Sequence, residues 1–441
     1  MEKSTPSSST SSSSETEGLW GSLSRFLAGG ESKSSLGLLL VHQSIFVYSL
    51  AFWIQRPVLS YLSKELGGDA VDFGTLESVL SVLSLLGGPM MGRLTDERGA
   101  RATIIASHFG SLVMYLLMGT ATSYAMLALS RVPAFLQHCM LCSQAAISQL
   151  TFDQNRSAAM GRLSLSYAAG MVIGSYLGGE IGTNLGFQCA ALVAAALTAI
   201  SIAITLAFMP AYKRSGSSPE KESSKNVGPS AAIDQVKEFL RLAMVPRIRN
   251  LLLLLFPISV GIGSFRSMLP LAGEEVFGLQ PSSMGRYISF AAFVGLGTNV
   301  LVIAPATRYL GEAHAVAAAA AIQMACYAFV PAISTYESLL VLTVPMTISS
   351  TLLYTLSSSL MSLAVDQGSA GSAIAMSHGL RSFVGIVSPL IGGFLYEQRG
   401  FSGIAHAAAI LAAVTLVFSQ TTSKASLLDL VQRKEESSKR D

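Results

Sequence analysis

Residues 92–103 read GRLTDERGARAT, a short charged turn between two apolar runs at about 73–91 and 103–122. Each run approaches the roughly 20 residues that a helix needs to cross a bilayer. Gly92 and Gly99 let two helices turn tightly. Asp96 is placed to cap a neighbouring helix and to pair with a base, while Arg98 and Arg101 add positive charge on one side of the membrane. Positive charge in a tight turn would account for the arginines alone, but not for paired glycines around an aspartate. An ion pair here would latch two helical bodies in one conformation and release them in another.

The rest of the chain has the composition such a turn requires. Its 441 residues are 51% hydrophobic and 12% charged, against roughly 25% charged in soluble domains, and mean hydropathy is +0.52. There is too little polar surface to face water. The formal net charge of +3 does not point to nucleic acid. All four cysteines, Cys139, Cys142, Cys189 and Cys326, fall in apolar stretches and read as buried thiols, not as a metal or disulfide framework. No phosphate-binding loop is present. No enzyme activity, metal or cofactor is expected. Serine-rich residues 1–35 lack the pattern of a cleaved signal and read as a disordered tail; Leu19–Leu27 is a candidate interfacial helix.

Hydropathy and glycine, proline and charge punctuation divide the chain into twelve candidate spans, at about 37–62, 73–91, 103–122, 125–149, 158–181, 186–209, 250–271, 283–306, 314–333, 338–362, 372–396 and 402–419. The expected organisation is a tail (1–35), a six-helix bundle (36–210), a polar linker (211–249), a second six-helix bundle (250–420) and a tail (421–441). Within the linker, the spacing of Ile233, Val236, Phe239, Leu240 and Ala243 predicts an amphipathic helix over about 231–244. The bias of Arg93, Arg98, Arg101, Arg156 and Arg308 against Glu65, Asp69, Asp72, Glu274, Glu275 and Glu337 places both termini in the cytoplasm. The sequon at Asn155 then faces the cytoplasm and reads as chance. Shifting the second half by about 214 residues aligns Gly174–Gly179 with Ser388–Gly393, Asp153 with Asp366, Arg56 with Arg266, and the 92–99 turn with 304–311. This is the trace that two related halves leave.

The 92–103 turn resembles the motif that the major facilitator superfamily carries between its second and third helices, through Gly92, Asp96, Arg98, Gly99 and Arg101. Those five are therefore expected to serve gating. The fifth span, with Gly170, Gly174, Gly178 and Gly179, is similar to a glycine motif of the superfamily's drug:proton antiporters, with Ser175 where that motif has proline. Small residues at this spacing also serve ordinary close helix packing. The resemblance implies an all-α, twelve-helix carrier linked to organic cations and lipophilic drugs, with spans 1, 4, 7 and 10 lining a cavity. Ionisable residues inside spans are costly and face cavities or partners, so Arg56, Glu77, Arg131, Arg266, His378 and Arg381 are the candidate substrate-binding residues. Snorkelling to an interface is the competing role for the arginines. His42, His108 and His138 are equally suited to buried hydrogen bonding or proton relay. Three functions follow: proton-coupled export of organic cations or amphipathic drugs with Glu77 as the exchanging carboxylate; an organic-anion carrier or facilitator, favoured by the excess of arginine; or a non-transporting membrane scaffold. The expected partners are a small-molecule substrate, protons and the bilayer of the plasma membrane or an endomembrane, with the chain monomeric.

Overall fold

The computed structural model describes residues 26–27, 34–210, 237, 240–241, 244–364 and 370–421. The expected tails, most of the linker with its amphipathic helix, and the side chain of His378 lie outside the described residues. Among the described residues the chain is helical throughout, in the order α1 (Ser35–Glu65), α2 (Ala70–Arg98), α3 (Ala100–Gly119), α4 (Tyr124–Leu129), α5 (Cys139–Leu150), α6 (Asp153–Leu185), α7 (Phe187–Phe208), α8 (Pro246–Phe277), α9 (Pro281–Leu301), α10 (Ile303–Phe329), α11 (Tyr336–Ala364) and α12 (Ala370–Thr421). Nine segments among them are long and apolar enough to cross a membrane. Neither α6 nor α9 is one of these, and most of α12 counts as a single segment.

Where the sequence reading placed loops, single glycines turn the chain. Gly99, with φ 83° and ψ 161°, joins α2 directly to α3. That backbone region is closed to residues with a side chain. Gly186 joins α6 to α7 in the same conformation, and Gly311 and Gly400 interrupt α10 and α12 similarly. The spacings from Gly99 to Gly311 and from Gly186 to Gly400 are about 212 and 214 residues, matching the internal repeat.

The expected fourth span at 125–149 is present as Tyr124–Leu150, but its helix is interrupted. A 3-10 turn, Val132–Leu136, separates α4 from α5, because Pro133 provides no backbone N–H and disfavours helix at the residue before it. Arg131 therefore sits at a break and not within a continuous helix.

Three hydrophobic cores organise the packing. One draws on both parts of the chain, joining Ile54, Leu59, Met114 and Ala191 to Phe265, Met284, Tyr327 and Phe401. The other two are separate: Leu38, Ile45, Ile104, Cys139 and Leu163 form one, and Leu251, Leu255, Val316, Leu356 and Ala412 form the other. The two parts are fused at one end and keep their own cores at the other. At the fused end Lys64 bridges Glu274 and Glu275 at 3.2 and 3.1 Å, and Tyr396 donates to Glu275 at 2.7 Å. Tyr61 donates to the Leu279 carbonyl, and the Ser282 amide donates to Thr183. Ser289 to the Val172 carbonyl and Ser78 to the Ile386 carbonyl, both at 2.7 Å, extend the closure inward.

Candidate functional site

Arg56, Glu77 and Arg266 stand on helices at the level of the shared core, and Arg381 beside one of the separate cores. Arg56 lies on α1 one residue before Pro57, and its Nη1 donates to both oxygens of Glu77 on α2, at 2.6 and 2.7 Å. The side chains are 25% and 9% exposed, so the pair reaches water on one side only. Phe52 lies one turn back beneath the Arg56 guanidinium, 5.8 Å from ring centre to Cζ. Trp53 Nε1 donates to the Tyr167 hydroxyl of α6 at 3.2 Å.

Arg266 of α8 is exposed to solvent and lies in the field of Arg56 and of the Tyr167, Tyr287 and Tyr354 hydroxyls, on α1, α6, α9 and α11. A solvent-exposed arginine within reach of side chains from four other helices fits a water-filled cavity between them. Arg381 of α12 is also exposed; its Nη1 donates to the Tyr354 hydroxyl, its Nη2 to Ser358 at 3.1 Å, and its guanidinium packs on the Tyr354 ring at 4.3 Å. Arg131 differs in being 1% exposed. It lies in the field of Glu77 and Arg56, and its Nη2 points at Met118 Sδ, 3.4 Å away. Among the described residues Arg131, Arg266 and Arg381 form no ion pair.

The glycines of the fifth span have two distinct roles. A Cβ at Gly170, Gly174 or Gly178 would meet the carbonyls of Phe46, Leu50 and Ile54 respectively, so these three let α6 lie directly on α1. Gly179 faces away from α1, against Pro281, Ser282 and Gly285 of α9. The α1–α6 contact carries Trp53 and Tyr167 with it, since Ser49 of α1 donates to the Tyr167 carbonyl at 2.6 Å. At the far end of α2, Asp96, Glu97 and Arg98 are exposed and Arg93 pairs with Glu97 at 2.8 Å. Arg101 Nη2 donates to the Leu206 carbonyl at 2.7 Å, satisfying one of the free carbonyls at the end of α7. Gly92 packs near Leu141.

Sequence reasoning missed the aromatic lining of Trp53, Tyr167 and Tyr354. Its only trace was aromatic residues near arginines, a pattern common in packed helices. Lys64 also went unremarked, because its partners lie about 210 residues further along the chain. His42 and His108 have hydroxyl partners, with Nδ1 of His42 2.8 Å from Ser166 and Nε2 of His108 3.3 Å from Ser201. No cluster of three or more metal-binding side chains occurs among the described residues.

Known proteins share this architecture. The human solute carrier family 67 member A1 is 28% identical over 359 residues, 80% of this chain and 84% of that protein. Solute carrier family 22 member 18 of Mus musculus is 28% identical, covering 80% of this chain and 88% of its own length. The crystal structure of the human organic anion transporter MFSD10 (TETRAN) superposes with a TM-score of 0.63 at 18% identity, over 87% of this chain and 99% of that one. The model of the Major Facilitator Superfamily matches residues 43–389, and the chain belongs to that family of multi-pass membrane transporters.

Proposed function

We propose that this protein is a secondary transporter of small amphipathic organic anions, working by alternating access. One observation carries the substrate charge: Glu77 is already held by Arg56, while the exposed Arg266 and Arg381 have no acidic partner among the described residues. A surplus of guanidinium in a protein-walled cavity attracts anions and holds carboxylates in paired hydrogen bonds. Tyr167, Tyr354 and Trp53 offer flat apolar surface beside those donors, which suits an amphipathic substrate. The fused core at the Lys64 end and the separate cores opposite support a carrier closed on one face. With positive charge inside, that closed face is the outer one and both termini are cytoplasmic.

The same reading takes the chain as twelve spans in two six-helix halves, 36–210 and 250–420, joined by the 211–249 linker. The joints at Gly311 and Gly400 support it by dividing the long helices. Helices α6 and α9 fall outside the apolar set because they meet at the glycine and serine seam of Gly179 and Gly285, away from lipid. Asp96, Arg98 and Arg101 act as the inner latch, and the protein works as a monomer.

A second reading, proton-driven export of organic cations, is favoured by Glu77 being a carboxylate inside a span and held by a partly exposed Arg56. Reconstitution in proteoliposomes with an imposed pH gradient and fluorescent substrates of both signs separates the two. Accumulation of the anionic set supports the first reading, and transport of cations alone overturns it. Failure to move either set would favour the scaffold.

A further inference from the structure

Three buried side chains on neighbouring segments leave hydrogen-bonding capacity unused among the described residues. Among the described residues, Arg131, 1% exposed, finds no hydrogen-bond partner for its Nε and Nη1; Gln55, at 0%, finds none for either amide atom, and the Tyr115 hydroxyl, also at 0%, finds none. The helices bring them to one level. Helices α1 and α3 run parallel, since Leu38 and Ile45 share a core with Ala100 and Ile104, while Leu59 and Leu62 share the next with Met114 and Met118. The Tyr48 and His108 rings meet edge to face at 6.2 Å. Seven residues further on, about two turns and 10.5 Å along each helix, stand Gln55 and Tyr115 on the same two faces.

Arg131 closes the third side. Its Nη2 reaches Met118, one turn beyond Tyr115, and Tyr115 lies within its field. The broken segment itself lies between the two helices, with the Tyr48 hydroxyl donating to the Gln137 carbonyl at 3.2 Å and Gln137 Nε2 directed to Met114 Sδ at 3.3 Å. Helix α4 ends there, so the break aims Arg131 into the space between α1 and α3.

Donors outnumber acceptors among the free groups: two guanidinium N–H groups, an amide NH2 and a phenol O–H stand against the one amide oxygen of Gln55. A buried guanidinium needs a counter-charge. Both Glu77 oxygens are engaged by Arg56, and the thioether of Met118 is a weak acceptor. We propose that Gln55, Tyr115 and Arg131 form an occluded binding site for a small monovalent anion of chloride or bromide size. All three side chains are at most 1% exposed, an enclosure that suits a small ion over a bulky oxyanion or the organic substrate. The bound halide would balance Arg131 and brace the break in the fourth span. The proposal does not depend on what the main cavity carries.

The test is thermal unfolding of the purified full-length protein in sodium chloride, sodium bromide and sodium gluconate at equal ionic strength, with no transported substrate present. The expected result is a saturable rise in Tm of about 2–3 °C in chloride and bromide over gluconate. Arg131→Gln should abolish the difference, and Gln55→Leu and Tyr115→Phe should each reduce it. If Arg131→Gln does not fold, the other two variants decide. Equal Tm in all three salts, as ordered water at the site would give, overturns the proposal. A halide effect that persists undiminished in Gln55→Leu and Tyr115→Phe overturns it as well.

Discussion

Glu77→Gln keeps the shape of the side chain and removes the charge that holds Arg56. The wild-type contact places one guanidinium nitrogen at 2.6 and 2.7 Å from the two carboxylate oxygens. Removing one partner of a buried ion pair costs about 3–5 kcal/mol. Because Arg56 is 25% exposed and recovers some hydration, the low end applies, about 3 kcal/mol. With an unfolding entropy of about 2.1 cal/mol/K per residue, a chain of 441 residues loses about 3 °C in Tm. Arg56→Gln in the same molecule removes the stranded charge and should return Tm to within about 1 °C of wild type. Fluorescence-monitored melting of the detergent-solubilised protein reads both. Transport adds the second half of the test. If the cavity takes anions, Glu77→Gln leaves anion uptake intact or strengthens its affinity; if Glu77 exchanges protons with a cation, the same change abolishes pH-driven exchange. A single variant that melts with the wild type, or a double variant less stable than either single, would refute the energetic reasoning.

Three further outcomes are expected. Lys64→Gln loosens the fused end: at 42% exposure the bridge is screened and contributes at most about 1 kcal/mol, so a cysteine introduced at the buried Ser282 in a background lacking the four native cysteines should label about five-fold faster, and an unchanged rate would argue against a clamp. Gly178→Val drives a side chain into the Ile54 carbonyl, and backbone cannot yield as a flexible side chain can, so folded yield should collapse; full expression with normal transport would contradict direct α1–α6 contact. Asp96→Asn should slow turnover with substrate affinity retained, and weakened binding at normal turnover would count against a gating role.

How much was legible depended on whether the cause was local. The glycines at 170, 174 and 178 announce close packing by spacing alone, and the structure supplies the partner, α1. The apolar residues around Pro133 read correctly as one span, Tyr124–Leu150, but the break in its helix beside Arg131 went unread because hydropathy is blind to backbone geometry. Gly99 was read as one member of a turn; that it is the whole connection, and that Gly186, Gly311 and Gly400 copy it, follows from backbone angles that no side chain reports. The Arg56–Glu77 pairing was accessible to reasoning because both residues are costly in a membrane and need neutralising. Lys64 with Glu274 was not, since polar residues at helix ends are unremarkable until the fold brings two ends together.

The single-glycine joints also decide where the protein will accept foreign sequence. At 99, 186, 311 and 400 the chain reverses without a loop, so an epitope tag or protease site inserted there must pry apart two helices. Insertions belong instead in the longer connections, such as 66–69 between α1 and α2 or 333–335 before α11. A reporter survey that used only conventional loop positions would lose protein at all four joints and record the failures as buried chain. Split-protein or nanobody-epitope designs should use the longer connections and leave the glycine joints untouched.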